Sequence, residues 1–214
     1  MTKELINAVK QGGADPKSNT RLRLVLQKAK SANLPNEVVE RNIKKASSED
    51  QAAYIEMTYE LYGYGGVGII VEVMTDNKNR MASDMRIATN KRGGTIATPG
   101  AVSYNFEKKG IIQVLKKEVK EDELFLMASD AGAEDFEASG DCYIITTAPE
   151  LVYQVKEKLN EKGTVCEEVS LEMVPKALVE CDPEAVKNNL ALIEWLEGMD
   201  DVDAVYHNMN FPQD

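Results

Sequence analysis

One histidine and three cysteines among 214 residues leave little material for catalysis or metal binding. His207, close to the C-terminus, reads as a solvated residue, so Ser-His-Asp and Cys-His arrangements have no base to work with. Cys142, Cys166 and Cys181 are odd in number and lack paired metal-site spacing. They are expected to pack as small apolar residues in a reducing cytosol. No run approaches the roughly 18 apolar residues of a membrane helix. The opening Met1-Thr2-Lys3-Glu4 has no signal-peptide core, so a cytoplasmic chain that avoids membranes is expected. The glycines of Gly63-Tyr64-Gly65-Gly66-Val67-Gly68 precede a strand instead of opening a helix, the wrong context for a dinucleotide fingerprint. Asp76-Asn77-Lys78-Asn79-Arg80 starts like a calcium loop, but Lys78 occupies a ligand position and the required glycine is missing. The expectation is a protein that is not an enzyme and takes no cofactor or metal.

What is present is charge, unevenly spread. Residues 1–50 carry ten Lys/Arg against six Asp/Glu, residues 51–109 seven against six, and residues 110–214 eight against twenty-four. All six arginines lie in the first 92 residues. The net charge of −11 therefore hides a basic half joined to an acidic one, the asymmetry expected of a chain with a polyanion-facing part. Arginine forks grip phosphate oxygens in pairs. On charge alone the candidate phosphate contacts are Arg21, Arg23, Arg41, Lys44, Lys45, Lys78, Arg80, Arg86 and Arg92. Lys78 and Arg80 fall at a helix start, where backbone N–H groups also favour anions. Arg86 is expected to serve a neighbouring surface, with an internal salt bridge as the alternative, and Lys91 and Arg92 read nearly as well as complements of the helix dipole.

Hydrophobic periodicity divides the chain into three parts. Lys3–Gln11, the stretch from Ser18 or Asn19 through Ala29, and the stretch after Pro35 each place apolar residues at helical spacing. They predict a three-helix domain over 1–53, with 47–53 as linker. Ile55–Leu61 alternates as a half-buried strand, Val67–Met74 is a central strand, and a helix starts at Asp76 or Asn77. Short strands are then expected at Thr95–Thr98 and Ala101–Glu107. From Gly110 the order strand, helix, hairpin, helix, strand predicts a ferredoxin-like unit over 110–177. A helix at Pro183–Gly198 and a strand at Asp203–His207 supply what the middle region lacks. The resulting expectation is an α+β protein in which residues 110–177, acidic and ferredoxin-like, interrupt a ferredoxin-like domain of 54–109 plus 178–214.

Several stretches together resemble the YebC/PmpR family. They are Gly12-Gly13-Ala14-Asp15-Pro16 through Arg23, Ala29–Pro35, Tyr59–Val67, Thr75–Arg80, Gly93-Gly94 and Val102–Phe106. The resemblance spans essentially the whole chain, and after residue 110 it is mainly one of pattern. It implies a cytoplasmic bacterial protein of three domains, a probable DNA-binding transcriptional regulator without enzymatic activity. Relatives include a mitochondrial translational activator, and some bacterial members are linked to the ribosome. Expected partners are thus DNA, with RNA or the ribosome as the rival, or a basic protein docked on the acidic half. Family members are expected to open with a short basic segment of the Gly-His-Ser-Lys-Trp type. No stretch here corresponds to it; if that segment supplies phosphate contacts, weaker nucleic-acid binding is expected of this chain.

Overall fold

A computed structural model describes residues 2–31, 34–47 and 54–211. The chain divides into two compact units, Met1–Val102 with Val179–Asp214, and Ser103–Leu178.

The first unit opens with three helices, α1 (Thr2–Gly12), α2 (Thr20–Ser31) and α3 (Asn36–Ala46). Their inward stripes meet in a small core of Leu5, Ile6, Val9, Leu22, Val25, Ala29 and Val39. Asn19 is the side chain that sets this corner. Its Oδ1 accepts the Leu22 N–H at 3.0 Å, capping α2, while its Nδ2 donates to the Ala8 and Gly13 carbonyls at 2.7 Å. Loss of such a cap costs about 1 kcal/mol. Most of the expected linker, residues 48–53, lies outside the described residues, as do Ala32 and Asn33 of the helical segment.

Strand β1 (Ile55–Tyr62) pairs antiparallel with β2 (Gly68–Thr75), from Ile55 opposite Thr75 to Tyr62 opposite Gly68. Helix α4 (Lys78–Arg92) follows, then β3 (Thr95–Ile96), which lies against Leu61 and Tyr62 of β1.

The second unit runs β4 (Phe106–Leu115), α5 (Glu121–Ala131), β5 (Asp135–Ser139), β6 (Cys142–Thr147), α6 (Val152–Glu161) and β7 (Glu168–Pro175). Its strand order is β5-β6-β4-β7, every neighbouring pair antiparallel. This is the ferredoxin-like arrangement, in which the second and third strands form a hairpin beside the first. Both helices bury apolar faces on it, Leu124, Met127 and Ala128 from α5 with Val152, Val155 and Leu159 from α6. Gly110 lets α6 start close to the sheet, since a Cβ there would lie 2.4 Å from Val152 Cβ.

The chain then returns to the first unit through β8 (Val179–Glu180), α7 (Pro183–Glu197), β9 (Val202–His207) and β10 (Met209–Asn210). Strands β8 and β10 form a two-stranded parallel ribbon. The main sheet of this unit is ordered β3-β1-β2-β9, with α4 and α7 packed on one face through Met81, Met85, Leu192, Ile193 and Leu196. In space this is again the ferredoxin-like order, but β1 fills the place between β2 and β3.

That placement corrects one expected element, because residues 101–107 are not a strand of this sheet. Glu60 of β1 is buried, and its carboxylate accepts the Gly100 N–H at 2.7 Å and the Val102 N–H at 2.6 Å. The segment is thereby bent into turns, with Gly100 at φ +90°. Val102 and Phe106 are buried but Tyr104 between them is 74% exposed, so their spacing of two did not mark a strand face. Extended structure begins only at Phe106 and belongs to the other sheet. The interrupting unit accordingly starts at Ser103, earlier than the expected Gly110. The three helices and the outer sheet group as one unit, tied by side chains of Lys3, Asn7 and Arg21 that reach the sheet.

Candidate nucleic-acid interface

Helix α4 begins where β2 ends, and its first turn is built from Thr75 to Arg80. Asn77 is the N-cap, its Oδ1 accepting the Arg80 N–H at 3.0 Å. Thr75 Oγ1 accepts the Asn77 N–H at 3.1 Å and donates to Asp201 Oδ2 at 2.8 Å. Asp201, in the turn between α7 and β9, is the centre of the corner. It receives Lys3 Nζ at 2.7 Å and Arg80 Nη2 at 2.5 Å, while Arg80 also reaches Asp76 at 2.8 Å. Only 11% of the Asp201 side chain is exposed. Burial by itself would raise its carboxyl pKa, but hydrogen bonds from Lys3, Arg80 and Thr75 outweigh that and hold it at about 2, against an ordinary 3.8. The hydrogen bonds to Asp201 and then Asp76 push the Arg80 guanidinium further up in turn.

The nine candidate cations therefore separate into groups. Arg80 is held by two carboxylates of its own unit. Arg21 pairs with Glu56 of β1 and donates to Gln11 at 2.7 Å. Arg92 lies with its guanidinium carbon 5.0 Å from the Trp195 ring centroid, and Lys91 approaches the same ring at 5.6 Å. Both sit in the last turn of α4, where they also complement the helix dipole. Arg41 and Lys44 are exposed on α3, and Lys78 and Arg86 on α4. Among the described residues these four make no ion pair. Arg86 stands near Tyr59, whose hydroxyl burial raises and Arg86 partly restrains. Arg23 is exposed on α2, and the side chain of Lys45 lies outside the described residues.

The returning segment changes the charge picture. With Val179–Asp214 counted in, the first unit holds sixteen Lys/Arg against twenty Asp/Glu, and the interrupting unit nine against sixteen. Neither unit is basic overall, so attraction for a polyanion is confined to local groups of cations. The sequence contained no local sign of Asp201 as the partner of Lys3 and Arg80, nor of Trp195 beneath Lys91 and Arg92. Both lie on the far side of the interruption, and only the returning chain brings them there.

The glycine-rich turn has a structural role. Gly63 N–H donates to the Val67 carbonyl at 2.8 Å, closing the β1–β2 connection, with Gly65 and Gly66 at positive φ. Buried Asn189 on α7 clamps it, accepting the Tyr64 N–H at 2.8 Å and donating to the Tyr64 carbonyl at 3.0 Å. His207 is half-buried, contrary to its expected solvation, because β9 carries it into the fold. Its Nδ1 accepts the Met209 N–H at 3.2 Å, and its ring meets Phe211 edge-on at 5.8 Å. Among the described residues no three His, Cys, Asp or Glu side chains are disposed to hold a metal ion, and no helix is long and apolar enough to cross a membrane.

Comparison with known proteins accounts for nearly the whole chain. Residues 1–49 match the family profile described as the TACO1/YebC protein N-terminal domain, and residues 54–209 that of the TACO1/YebC second and third domain. A probable transcriptional regulatory protein of Protochlamydia amoebophila is 65% identical over 214 residues, covering all of this chain and 87% of the relative. A probable transcriptional regulatory protein of Chlamydia muridarum is 58% identical over 208 residues, 97% of this chain and 87% of that one. The crystal structure of a conserved hypothetical protein from Aquifex aeolicus superposes with a TM-score of 0.91 at 40% identity, covering all of this chain and 88% of the other.

Proposed function

The chain belongs to the TACO1/YebC family, and from that premise we propose that it is a nucleic-acid-binding regulator of gene expression, with duplex DNA as target, acting by binding and not by catalysis. The observation that carries the reading is the sorting of its cations. Asp76, Asp201, Glu56 and Trp195 take up Arg80, Arg21 and Arg92, while Arg41, Lys44, Lys78 and Arg86 stay exposed without a carboxylate among the described residues. Cations left unpaired by the fold keep their full attraction for phosphate.

The outward stripe of α4 supports the same use. Asn79, Ser83, Arg86 and Asn90 recur at spacings of three and four and are largely exposed. Neutral amides and hydroxyls beside one arginine suit hydrogen bonds to phosphate and sugar oxygens, which set register but carry no sequence information. Binding through four such cations is phosphate-driven. Its logarithmic salt slope on duplex DNA is expected near roughly −3.6.

The test is fluorescence anisotropy with a 20-base-pair duplex and a structured RNA hairpin, in direct competition and across salt. Lys78→Ala/Arg86→Ala should weaken binding and flatten the slope by about 2. Lys117→Ala/Lys162→Ala, which removes the same charge from the interrupting unit, should do clearly less. Equal losses from the two pairs would defeat the assignment of the surface. Preference for the hairpin would keep the surface and move the target to RNA.

A further inference from the structure

Helix α5 of the interrupting unit turns two large apolar side chains outward side by side, Leu126 at 63% exposure and Phe125 at 49%. The inward face of the helix is already filled by Leu124, Met127, Ala128 and Ala131, so the exposed pair does not serve the core. Phe125 is nevertheless held in place. Its ring meets Phe136 edge-on, centroids 5.6 Å apart at 84°, and Phe136 stacks on Tyr143 at 5.3 Å. An aromatic ring fixed in advance loses little freedom when a partner covers it.

The charged neighbours of this pair on the helix itself are all acidic, while lysines stand at the helix ends, Lys120 at the N-cap and Lys158 on the Ala131 carbonyl at 3.2 Å. One helical turn away lie Glu121 and Asp122 on one side and Ser129 and Asp130 on the other, all exposed. Between Glu121 and Ala131 the helix carries no lysine or arginine. We propose that Phe125 and Leu126 form a docking site for a basic amphipathic helix of a partner protein. The apolar stripe of that helix would cover the two side chains, and its lysines or arginines would meet the bordering carboxylates. Charge selects this occupant. A second copy of the chain would bring the same carboxylates face to face across a two-fold contact. Nucleic acid and anionic lipid would be repelled for the same reason. The inference stands on residues remote in sequence from the proposed phosphate contacts, so either reading can fail without the other.

The experiment uses the full chain and a fluorescein-labelled 18-residue helix of leucine and lysine with all leucines on one face. Controls are the same composition shuffled so that no apolar face forms, and a leucine–glutamate helix. The amphipathic basic peptide is expected to bind at least tenfold more tightly than either control. Phe125→Ser/Leu126→Ser should reduce that affinity at least tenfold. Leu126→Ser alone, which spares the ring contact with Phe136, should still lose several-fold with thermal unfolding unchanged. Glu121→Gln/Asp122→Asn should weaken binding and flatten its salt dependence. Unchanged affinity in both apolar variants would overturn the proposal. So would wild-type self-association in sedimentation that those variants abolish, or binding to anionic vesicles in place of the peptide.

Discussion

Replacing Asp201 by asparagine keeps the shape of the Lys3–Thr75–Arg80 corner and removes only its charge. Three donors converge on that carboxylate at 2.5 to 2.8 Å. Hydrogen bonds to a charged group contribute roughly 1.5–3 kcal/mol each where both partners are desolvated. The sum must be discounted, because the Arg80 side chain is 48% exposed and retains Asp76, and Lys3 can turn to water. A loss of about 2–3 kcal/mol is left, or roughly 6–10 °C in the melting of a unit this size. Trp195 is the single tryptophan and sits on α7, so its fluorescence reports the unit that contains the corner. The pH dependence gives a sharper check. The folded carboxyl lies at about 2, below its ordinary 3.8, so its contribution is complete above about pH 4 and disappears as pH falls toward 2. The gap between wild type and Asp201→Asn should close over that window. A gap below 1 °C at pH 7, or one that stays constant from pH 6 to pH 2.5, would refute a charge-centred corner.

Asn189→Ala should cost about 2–3 kcal/mol in urea titrations, since it strands the Tyr64 N–H, leaves the Tyr64 carbonyl only the longer bond from Val67 N–H at 3.4 Å, and opens a void; a change under 1 kcal/mol would show that the turn holds itself. The single histidine gives one set of imidazole C–H signals in proton NMR, assignable without ambiguity. Burial lowers the His207 pKa below its ordinary 6.5, with Glu197 opposing, so stability should fall as pH drops from 6.5 toward the folded value, and His207→Gln should remove that slope. A titration midpoint at or above 6.5 would contradict the buried placement. A fragment of residues 103–178 should melt as one cooperative transition, as expected of a unit with its own core; a molten product would show that the core needs the rest of the chain.

Helices and hairpins were legible because their signals are local. The first helix expected after Gly110 is found as α5 (Glu121–Ala131), whose ends are marked by its acidic first turn and the left-handed Gly132. Asn19 and Asn77 were among the residues named as helix starts, and both cap their helices through their side-chain oxygens. What failed was an assignment that depended on a distant residue. Val102, Tyr104 and Phe106 alternate like a strand, yet the carboxylate of Glu60 decides the conformation of that stretch from forty residues away. His207 was misread for a related reason: its place near the end of the chain suggested solvent, whereas pairing of β9 with β2 sets its burial.

The interruption explains why charge counted along the chain is a poor guide to charge in space. Residues 179–214 are strongly acidic, and sequence position groups them with the acidic middle of the chain. The fold returns them to the unit that carries all six arginines, and Asp201 is spent on Arg80 and Lys3 there. From the sequence both Arg80, at a helix start beside Lys78, and Arg86 were candidate phosphate contacts, with an internal salt bridge as the alternative for Arg86. In the structure it is Arg80 that closes a corner between α1, α4 and the α7–β9 turn, while Arg86 is exposed. A direct comparison follows. Arg80→Ala should lower thermal stability more than Arg86→Ala, because it leaves Asp76 without a cation and Asp201 with Lys3 alone. Arg86→Ala should cost more in DNA affinity at matched salt, by severalfold for one lost phosphate contact. If Arg80→Ala instead lost the greater affinity while melting like wild type, the corner would be a binding site and its ion pairs incidental.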